Sequence, residues 1–323
     1  MKLITIKGTW EQMGRQLGMA QKKDIQSIQA HHLRVSSRMK RLLKEQSALL
    51  RDQAKNQWDF LVGMSIGSGQ PLENIIIANS WEYFAVKAQH CSTVFGVEKR
   101  QWFVLHNEDD YAWWKGKVAL VRYIPNNGTD VLTFNYPGTI AGASVGINAR
   151  GLSLAMNSIY QTHDRLLSGL PSYIVGSQLL QAKSMSEVMR MAKLVKTNMG
   201  MHFLMVESDR RAVSLELFPH AKDHKVIRPW FAHTNHPLLS KVQKNAFCGR
   251  RSIKRLERVH DALEETKNFT QALACLRKPF ARGGVYEVAK DMADVMTLAT
   301  VIVWPAQRKL TVIDKNRKRD YTI

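Results

Sequence analysis

The order of helical and alternating segments predicts an α+β protein built from layers of antiparallel sheet. Residues 10 to about 60 have a helical pattern rich in Gln, Lys, Leu and Met and contain no proline. Paired alternating segments follow, and one pair turns at Asn126–Asn127–Gly128, where Asn-Gly is a strong hairpin signal. Strands do not alternate singly with helices, and no G-x-G-x-x-G or Walker pattern occurs, so a doubly wound parallel sheet fits poorly.

The remaining elements follow from the same change of period along the chain. Helical patterns cover a stretch leading up to Trp81, residues 171 to about 195, and residues 250–295. Alternating patterns predict strands at 92–96, 102–106, 118–125, 131–138, 201–209, 211–218, 297–305 and 309–314, with another pair within 144–159 that turns near Ala149–Arg150–Gly151.

The length and composition are those of a globular chain. With 323 residues, 45% of them hydrophobic, the chain is long enough for one large domain or two small ones. We expect no transmembrane helix, because no run of about 18 apolar residues occurs, and no signal peptide, so we expect a cytoplasmic protein. The three cysteines, Cys91, Cys248 and Cys275, suggest neither a disulfide framework nor a zinc-binding C-x-x-C pair.

The net charge of +20, from 47 Lys and Arg against 27 Asp and Glu, favours an acidic partner. The basic residues form clusters at 38–44, 250–258 and 315–319, without interleaved aromatic residues or a zinc finger. We therefore expect no specific nucleic-acid partner. A basic binding protein for an acidic partner remains the alternative to an enzyme, and the charge also suits a substrate linked to coenzyme A or an acyl carrier protein.

The first predicted hairpin brings Cys91 close to carboxylates. If its turn centres near residues 99–101, Cys91 lies opposite Asp109 and Thr93 lies opposite Asn107, and directly opposed side chains are about 5 Å apart at Cβ. A thiol would then adjoin a polar cluster at 107–110. Taken alone, these residues are explained better by an exposed acidic loop beside an unrelated cysteine.

Short motifs along nearly the whole chain have the order and spacing of one known family. They are Gly8 to Gly14 with Gly18, Cys91–Ser92–Thr93, Asn107–Glu108–Asp109, Pro137–Gly138, Gly146–Ile147–Asn148 through Gly151–Leu152 to Asn157, Gly169–Leu170–Pro171, His233–Thr234–Asn235–His236, and Thr297–Leu298–Ala299–Thr300. Together they resemble the acyl-coenzyme A:6-aminopenicillanic-acid acyltransferase family, a branch of the cysteine Ntn-hydrolases.

The resemblance implies a four-layer αββα sandwich of two antiparallel sheets. It also implies a precursor that cuts itself between His90 and Cys91, leaving a helical segment 1–90 and a catalytic segment 91–323 associated as one domain. The implied activity is hydrolysis of an acyl amide, or transfer of an acyl group to or from an amine, through an acyl-enzyme on Cys91. The implied substrate is a small-molecule acyl amide or acyl thioester. The oligomeric state stays open.

The resemblance also implies roles for individual residues. Cys91 is the nucleophile, Asp109 holds its α-amine, and Asn235 donates to the oxyanion. Arg255 is the flanking arginine, with Arg251 in reserve, although a charge on a solvated helix face is an equal interpretation of Arg255. Asn107, Asn157 and His233 are expected to support the site, with a backbone N–H near Asn157 as a second oxyanion donor.

Several departures and competing interpretations remain. Relatives often have N-W-D-W where this chain has Asn107–Glu108–Asp109–Asp110, and Ser177 stands where an arginine is common. Asp110 would repel an anionic substrate or bind a cationic one.

A papain-like enzyme is a competing interpretation, but the chain lacks the C-G-x-C-W motif that such an enzyme would have. We expect no cofactor and no metal, because the candidate ligands His202, His220, His224, His233 and His236 lack a carboxylate or cysteine at a helical ligand spacing.

Overall fold

The computed structural model describes residues 1–32, 37–80, 91–159, 168–208, 210–243, 246, 248–315 and 317–323. Within them two β-sheets face each other, and helices cover the outer face of each sheet. This four-layer arrangement confirms the predicted α+β class and the αββα sandwich. No helix of these residues is both long and apolar enough to cross a membrane.

The strands, in chain order, have the following bounds: Lys2–Gly8 (β1), Ser92–Glu98 (β2), Gln101–Tyr111 (β3), Ala119–Pro125 (β4), Val131–Asn135 (β5), Val145–Asn148 (β6), Leu152–Ser158 (β7), Met201–Glu207 (β8), Arg211–Leu217 (β9), Lys222–Ile227 (β10), Phe231–His233 (β11), Val295–Trp304 (β12), Lys309–Asp314 (β13) and Arg317–Thr322 (β14). One sheet has the order β1-β4-β5-β6-β7-β8-β9-β10, and the other has the order β11-β2-β3-β12-β13-β14. The pair β1–β4 is parallel, and the other pairs are antiparallel.

The α-helices are Trp10–Ala20 (α1), Lys22–His32 (α2), Ser37–Gln53 (α3), Lys55–Ser68 (α4), Leu72–Ala78 (α5), Ser172–Gln181 (α6), Met185–Leu194 (α7), Ser240–Gln243 (α8), Arg250–Glu265 (α9) and Phe269–Arg277 (α10), with 3-10 turns at Ala112–Trp114 and Phe280–Arg282. Their starts follow from local chemistry. A capping box at α1 pairs the Thr9 hydroxyl with the Gln12 N–H and the Gln12 side chain with the Thr9 N–H.

Three apolar layers hold the sandwich together. Residues of α1, α4 and α6 pack on the outer face of the eight-stranded sheet. Side chains such as Phe95 and Val104 meet Phe134 and Leu204 between the sheets. Leu256 and Val259 of α9 pack with Phe103 and Leu105 on the outer face of the six-stranded sheet. Buried polar residues in these layers are therefore surrounded by apolar side chains.

The register of the first hairpin differs from the prediction. Glu98 pairs with Gln101, so the turn is the two residues Lys99 and Arg100, both with positive φ (48° and 66°). Such a turn matches the twist of the strands. It moves the register by one residue, so Ser92 rather than Thr93 pairs with Asn107, and Thr93 pairs with His106. The predicted oppositions of Cys91 to Asp109 and Thr93 to Asn107 are wrong.

Other predicted elements need smaller corrections. Residues 250–295 are not one helical region, because α10 ends at Arg277 and only a 3-10 turn follows before β12. The strands β1, β10, β11 and β14 were not predicted. The stretch ending at Trp81, and His90 before the expected cut, lie outside the described residues.

Candidate active site

Cys91 directly precedes β2 and is 6% exposed. Its Sγ lies 4.0 Å from the backbone carbonyl oxygen of Asp109, so the two residues are neighbours despite the shifted register. Burial raises the pKa of the Cys91 thiol well above its usual value, and the charges of Glu108 and Asp109 raise it further. The thiol is therefore protonated at neutral pH and needs a base to become a nucleophile.

Asp109 carries a carboxyl group that is buried on β3. Burial raises its pKa well above the usual range, while the charge of Arg255 and the side chain of Thr297 lower it. Neither carboxylate oxygen has a hydrogen-bond partner of ordinary geometry among the described residues. Buried carboxylates rarely stay unpaired, so the position suits an additional donor.

Arg255 lies in the second turn of α9 and is 0% exposed. Its Nη1 donates to the carbonyl oxygen of Cys91 (2.6 Å) and to the hydroxyl of Ser92 (2.8 Å). Its Nη2 donates to Oδ1 of Asn235 (2.7 Å). One buried cation thus joins the strand that begins at the thiol to the segment that carries the predicted oxyanion donor.

Arg255 is buried, so its interpretation as a charge on a solvated helix face is wrong. Burial lowers the pKa of the guanidinium, and the charges of Asp109 and Glu287 raise it. Arg251, the reserve, instead pairs with Glu287 (Nε to Oε1, 2.9 Å), and its side chain is 49% exposed. The two residues lie one turn apart on the same face of α9, and Arg255 is in the packed interior while Arg251 is at the exposed start of the helix.

Asn235 follows β11 and is held at both its backbone and its side chain. Its N–H donates to the hydroxyl of Ser252 (2.8 Å), and its Nδ2 donates to the carbonyl of Ser158 (3.0 Å). An amide has two N–H donors, and this is the one bond that Nδ2 makes within the described residues. Arg255 fixes the orientation by occupying Oδ1.

Ser252 is a buried residue to which the sequence assigned no role, although it begins the S-x-x-R match that ends at Arg255. Besides Asn235 it contacts Nδ1 of His236 (2.8 Å) and the Thr234 hydroxyl (2.9 Å), so it fixes three consecutive residues of the loop. Burial, with the charges of His233 and Arg255, lowers the pKa of His236 to about 4. His236 is therefore neutral above that pH and acts as a structural partner of the loop.

His233, the last residue of β11, joins the loop that follows it to the opposite sheet. Its Nε2 bonds Oε1 of Glu216 (3.0 Å), a fully buried residue of β9 that also accepts from the N–H groups of Leu238 and Leu239. The ring stacks on His202 with centroids 3.5 Å apart. Burial and the charge of His233 lower the pKa of His202 well below its usual value.

Asn107 and Asn157, the other predicted supporting residues, lie on different sides of the six-stranded sheet. Asn107 donates to the carbonyl of Leu276 in α10 (2.8 Å) and accepts from Thr300 (2.8 Å), so it anchors a helix to the sheet. Asn157 accepts from the Thr93 hydroxyl (2.9 Å) between the two sheets. Neither contact is with Cys91.

A second polar group adjoins Cys91 from the layer between the sheets. The ring of His106 bonds the Thr93 hydroxyl through Nδ1 (2.8 Å) and Oε2 of Glu108 through Nε2 (2.9 Å). Glu108 also accepts from the hydroxyls of Tyr136 and Ser144. Because both ring nitrogens of His106 are occupied, the ring is not the partner of the thiol that a papain-like enzyme requires. Side chains two residues apart lie on the same face of a strand, so His106 shares a face of β3 with Glu108. This spacing is the sequence signal that could have identified His106.

A narrow recess opens near this group. It is lined by Asp110, Trp114, Tyr136 and Tyr173, with Ala78, Pro137 and Thr139, and has a volume of about 20 Å³. That volume holds one or two water molecules. Three of the seven residues that line this recess are aromatic.

Comparison with known proteins places this geometry in a family. The profile of a family described as acyl-coenzyme A:6-aminopenicillanic acid acyl-transferase matches residues 97–319, well over half of the chain. The chain belongs to this family. The match confirms the resemblance seen in the motifs, and it spans Asp109, Asn235 and Arg255 while beginning just after Cys91. The search of curated protein sequences found no match to this chain.

Solved structures resemble this acyl-transferase family member in fold. Two variants of the conjugated bile acid hydrolase from Clostridium perfringens are 12% and 13% identical to it, with TM-scores of 0.52 and 0.51. The likeness covers 73% and 72% of this chain and 92% of each of those chains. Penicillin V acylase from Agrobacterium tumefaciens is 12% identical with a TM-score of 0.46, over 71% of this chain and 84% of that chain. The first two likenesses support the shared Ntn-hydrolase fold.

Proposed function

We propose that this chain is a self-processing cysteine Ntn-hydrolase that hydrolyses an acyl amide, or transfers an acyl group to or from an amine, through an acyl-enzyme on Cys91. The observation that carries the proposal is the buried Arg255, which bonds the Cys91 carbonyl and Oδ1 of Asn235 at once. Family membership supports the same class of reaction.

The proposed maturation uses the thiol against the preceding peptide bond. The Cys91 thiol adds to the carbonyl of His90, the C–N bond breaks, and a thioester forms while the α-amine of Cys91 takes the proton. Water then hydrolyses the thioester and restores the thiol. Segments 1–90 and 91–323 result, and we propose that they stay together as one domain.

The new α-amine is the proposed base in turnover. Because burial keeps the thiol protonated, the reaction needs a base close to Sγ. An α-amine has a pKa of about 7.7–8.0 in model peptides, near the pH at which such a base is effective. The buried carboxyl group of Asp109, which has room for a further donor, is the proposed partner that holds the amine.

The proposed oxyanion donor is Nδ2 of Asn235. The amide group has two N–H donors, and its bond to the Ser158 carbonyl leaves the second one for a ligand. Arg255 donates to Oδ1 and so prevents a flip of the amide group that would exchange its oxygen and nitrogen. A preorganised donor of this kind contributes about 10²–10³-fold to acyl transfer. A backbone N–H near Asn157 is the proposed second donor.

The proposed substrate is a small-molecule acyl amide or acyl thioester. Water resolves the acyl-enzyme in hydrolysis, and an amine resolves it in transfer, so one site serves both reactions. The net charge of +20 supports an acyl donor carried on coenzyme A or an acyl carrier protein, because both carriers are acidic.

The test of maturation is the intact mass of the purified protein under denaturing conditions. We expect two fragments that meet between His90 and Cys91 in the wild type and one uncut chain in Cys91→Ala. Cys248→Ala, which removes an exposed thiol, is the matched control and should be cut like the wild type. An uncut wild-type chain would refute self-processing.

The test of turnover uses amides and acyl thioesters that the wild type accepts. Cys91→Ala should lose turnover of all of them, and full retention of any would overturn the nucleophile assignment. A wild-type chain that is uncut and inactive on every such substrate would favour the basic binding protein instead.

A further inference from the structure

Cys91, His106 and Glu108 bring three potential metal ligands together in the layer between the sheets. The thiol sulfur, a ring nitrogen of His106 and a carboxylate oxygen of Glu108 all lie within 4.8 Å of one another, and all three residues are buried. The group differs from the histidines considered in the sequence, and Glu108 stands where relatives often have tryptophan. The ligand set therefore arises from a departure of this chain.

The spacing and the donor types suit Zn²⁺. Zinc binds thiolate sulfur at about 2.3 Å and imidazole nitrogen or carboxylate oxygen at about 2.0–2.2 Å, usually in tetrahedral geometry. Tetrahedral ligands at those bond lengths are roughly 3.3–3.8 Å apart. The 4.8 Å limit on the observed spacing exceeds this range by about 1 Å, and the 2.9 Å between Nε2 of His106 and Oε2 of Glu108 falls short of it, so small side-chain shifts in both directions would fit the group to an ion. Three protein ligands leave the fourth position open for water.

The surrounding residues already orient two of the ligands. His106 uses Nδ1 against the Thr93 hydroxyl, and that hydroxyl donates to Oδ1 of Asn157, which turns Nε2 towards Glu108. Glu108 is held by the hydroxyls of Tyr136 and Ser144. Metal-binding histidines and carboxylates usually have such outer partners, and losing one costs about 10–100-fold in metal affinity.

Charge and proton balance are consistent with one divalent ion. Thr93 gives its single hydroxyl proton to Asn157, so Nδ1 of His106 donates to Thr93 and Nε2 faces Glu108. Zn²⁺ binds deprotonated ligand atoms, so its binding releases the thiol proton, and any proton shared by Nε2 and Glu108, to solvent. The thiolate and the carboxylate then neutralise the ion, which leaves no net charge buried among the three ligands and the metal.

We propose that Cys91, His106 and Glu108 form a binding site for one Zn²⁺ ion, which ties up the Cys91 sulfur and reversibly blocks its reactions. The binding stands independently of catalysis, and the inhibition rests on the proposed function. An ion at this site competes with acylation because the same sulfur cannot hold both.

The experiment titrates the full-length protein with Co²⁺, a spectroscopic substitute for Zn²⁺. We expect one Co²⁺ per chain and a thiolate-to-cobalt charge-transfer absorption, which added Zn²⁺ removes. Glu108→Gln should weaken Co²⁺ affinity at least tenfold, and Ser144→Ala should weaken it about tenfold. Cys248→Ala should bind Co²⁺ like the wild type, and circular dichroism checks that each variant is folded.

The outcomes separate this proposal from the proposed function. Absence of the absorption, its loss in Cys248→Ala, or an unchanged affinity in folded Glu108→Gln and Ser144→Ala would each overturn the metal site. A chain that binds Co²⁺ through Cys91 without cutting itself or turning over an amide keeps the metal site and loses the hydrolase. A chain that is cut and active but binds no Co²⁺ keeps the hydrolase alone.

Discussion

A guanidinium that is buried as fully as that of Arg255 needs charged and polar partners, because desolvation of an unpaired ion costs several kcal/mol. Asp109 and Glu287 supply the negative charge, and a carbonyl, a hydroxyl and an amide oxygen supply the acceptors. The planar fork of arginine serves several acceptors at fixed angles, whereas lysine is a compact point charge. The geometry of the group, in addition to its charge, therefore aligns Cys91 with Asn235.

We expect Arg255→Lys to slow self-cleavage about 100-fold, because an ammonium group cannot bond the Cys91 carbonyl and Asn235 in the same geometry. The rate of fragment formation after cell-free synthesis measures this without a known substrate. Arg251→Lys is the matched control, and its rate should stay within a few-fold of the wild type, since Arg251 pairs with Glu287 at the edge. Equal rates for the two variants would show that Arg255 has no alignment role.

For single elements, the sequence predicted the positions of the strands better than it predicted which residues of neighbouring strands pair. The β2–β3 hairpin was recognised from its alternation, but a two-residue turn with positive φ at Lys99 and Arg100 has no glycine or asparagine to mark it. The short β11 and the exposed, strongly charged β14 carry too little apolar alternation to be recognised. Their pairing depends on contacts with β2 and β13, which local sequence does not contain.

The helix pair α1–α4 shows why particular glycines matter to the fold. A Cβ added at Gly14 would lie 2.0 Å from the carbonyl oxygen of Phe60, and one added at Gly63 would lie 2.0 Å from the carbonyl oxygen of Glu11. Backbone faces backbone at both points, so no side chain can turn away to make room. The two helices pack this closely only without side chains at these positions.

We expect Gly14→Ala to lower the free energy of unfolding by about 1–3 kcal/mol, the usual cost of overpacking a core. The intrinsic helix preference of alanine over glycine, about 1 kcal/mol, acts in the opposite direction and should be overcome. Urea unfolding measures the difference. Met19→Ala, at a 55% exposed position of the same helix, should change stability by less than about 0.5 kcal/mol. A variant as stable as the wild type would mean that the helices separate at little cost.

At the scale of the whole molecule, the candidate site is assembled from the β2–β3 hairpin, the segment after β11 and the helix α9. The motifs named Cys91, Asp109 and Asn235 as residues of one site, but Arg255 and Arg251, one turn apart on the same helix face, could be distinguished only by how α9 packs. Glu216 and His106 were missed, and Ser252 was given no role, because their partners lie 13 to 17 positions away or on the opposite sheet. The contacts of these residues depend on long-range packing, which the residue types alone do not show.

The sheet topology also ties together the two segments that self-cleavage would produce. β1, in the segment before Cys91, pairs with β4 along seven residues at the edge of the eight-stranded sheet. Among the described residues, fifteen buried hydrophobic residues of β1 and the helical layer precede Cys91, including Met13 and Phe60, and they pack in the same cluster as Tyr123 and Phe203. Burial of one large apolar side chain stabilises the fold by about 1.5–3 kcal/mol. Separation of the two segments would expose these side chains to water and would cost at most some tens of kcal/mol.

We therefore expect the cut protein to migrate as one species in size-exclusion chromatography, at the volume of the uncut Cys91→Ala chain. The same sample should separate into the segments 1–90 and 91–323 once denatured, because the peptide bond between them is gone. Separation of the two under native conditions would contradict the sheet pairing of β1 and the shared core. Retention after cleavage would mean that a new terminus at Cys91 forms inside an intact sandwich, where the partners of Arg255 already hold the site.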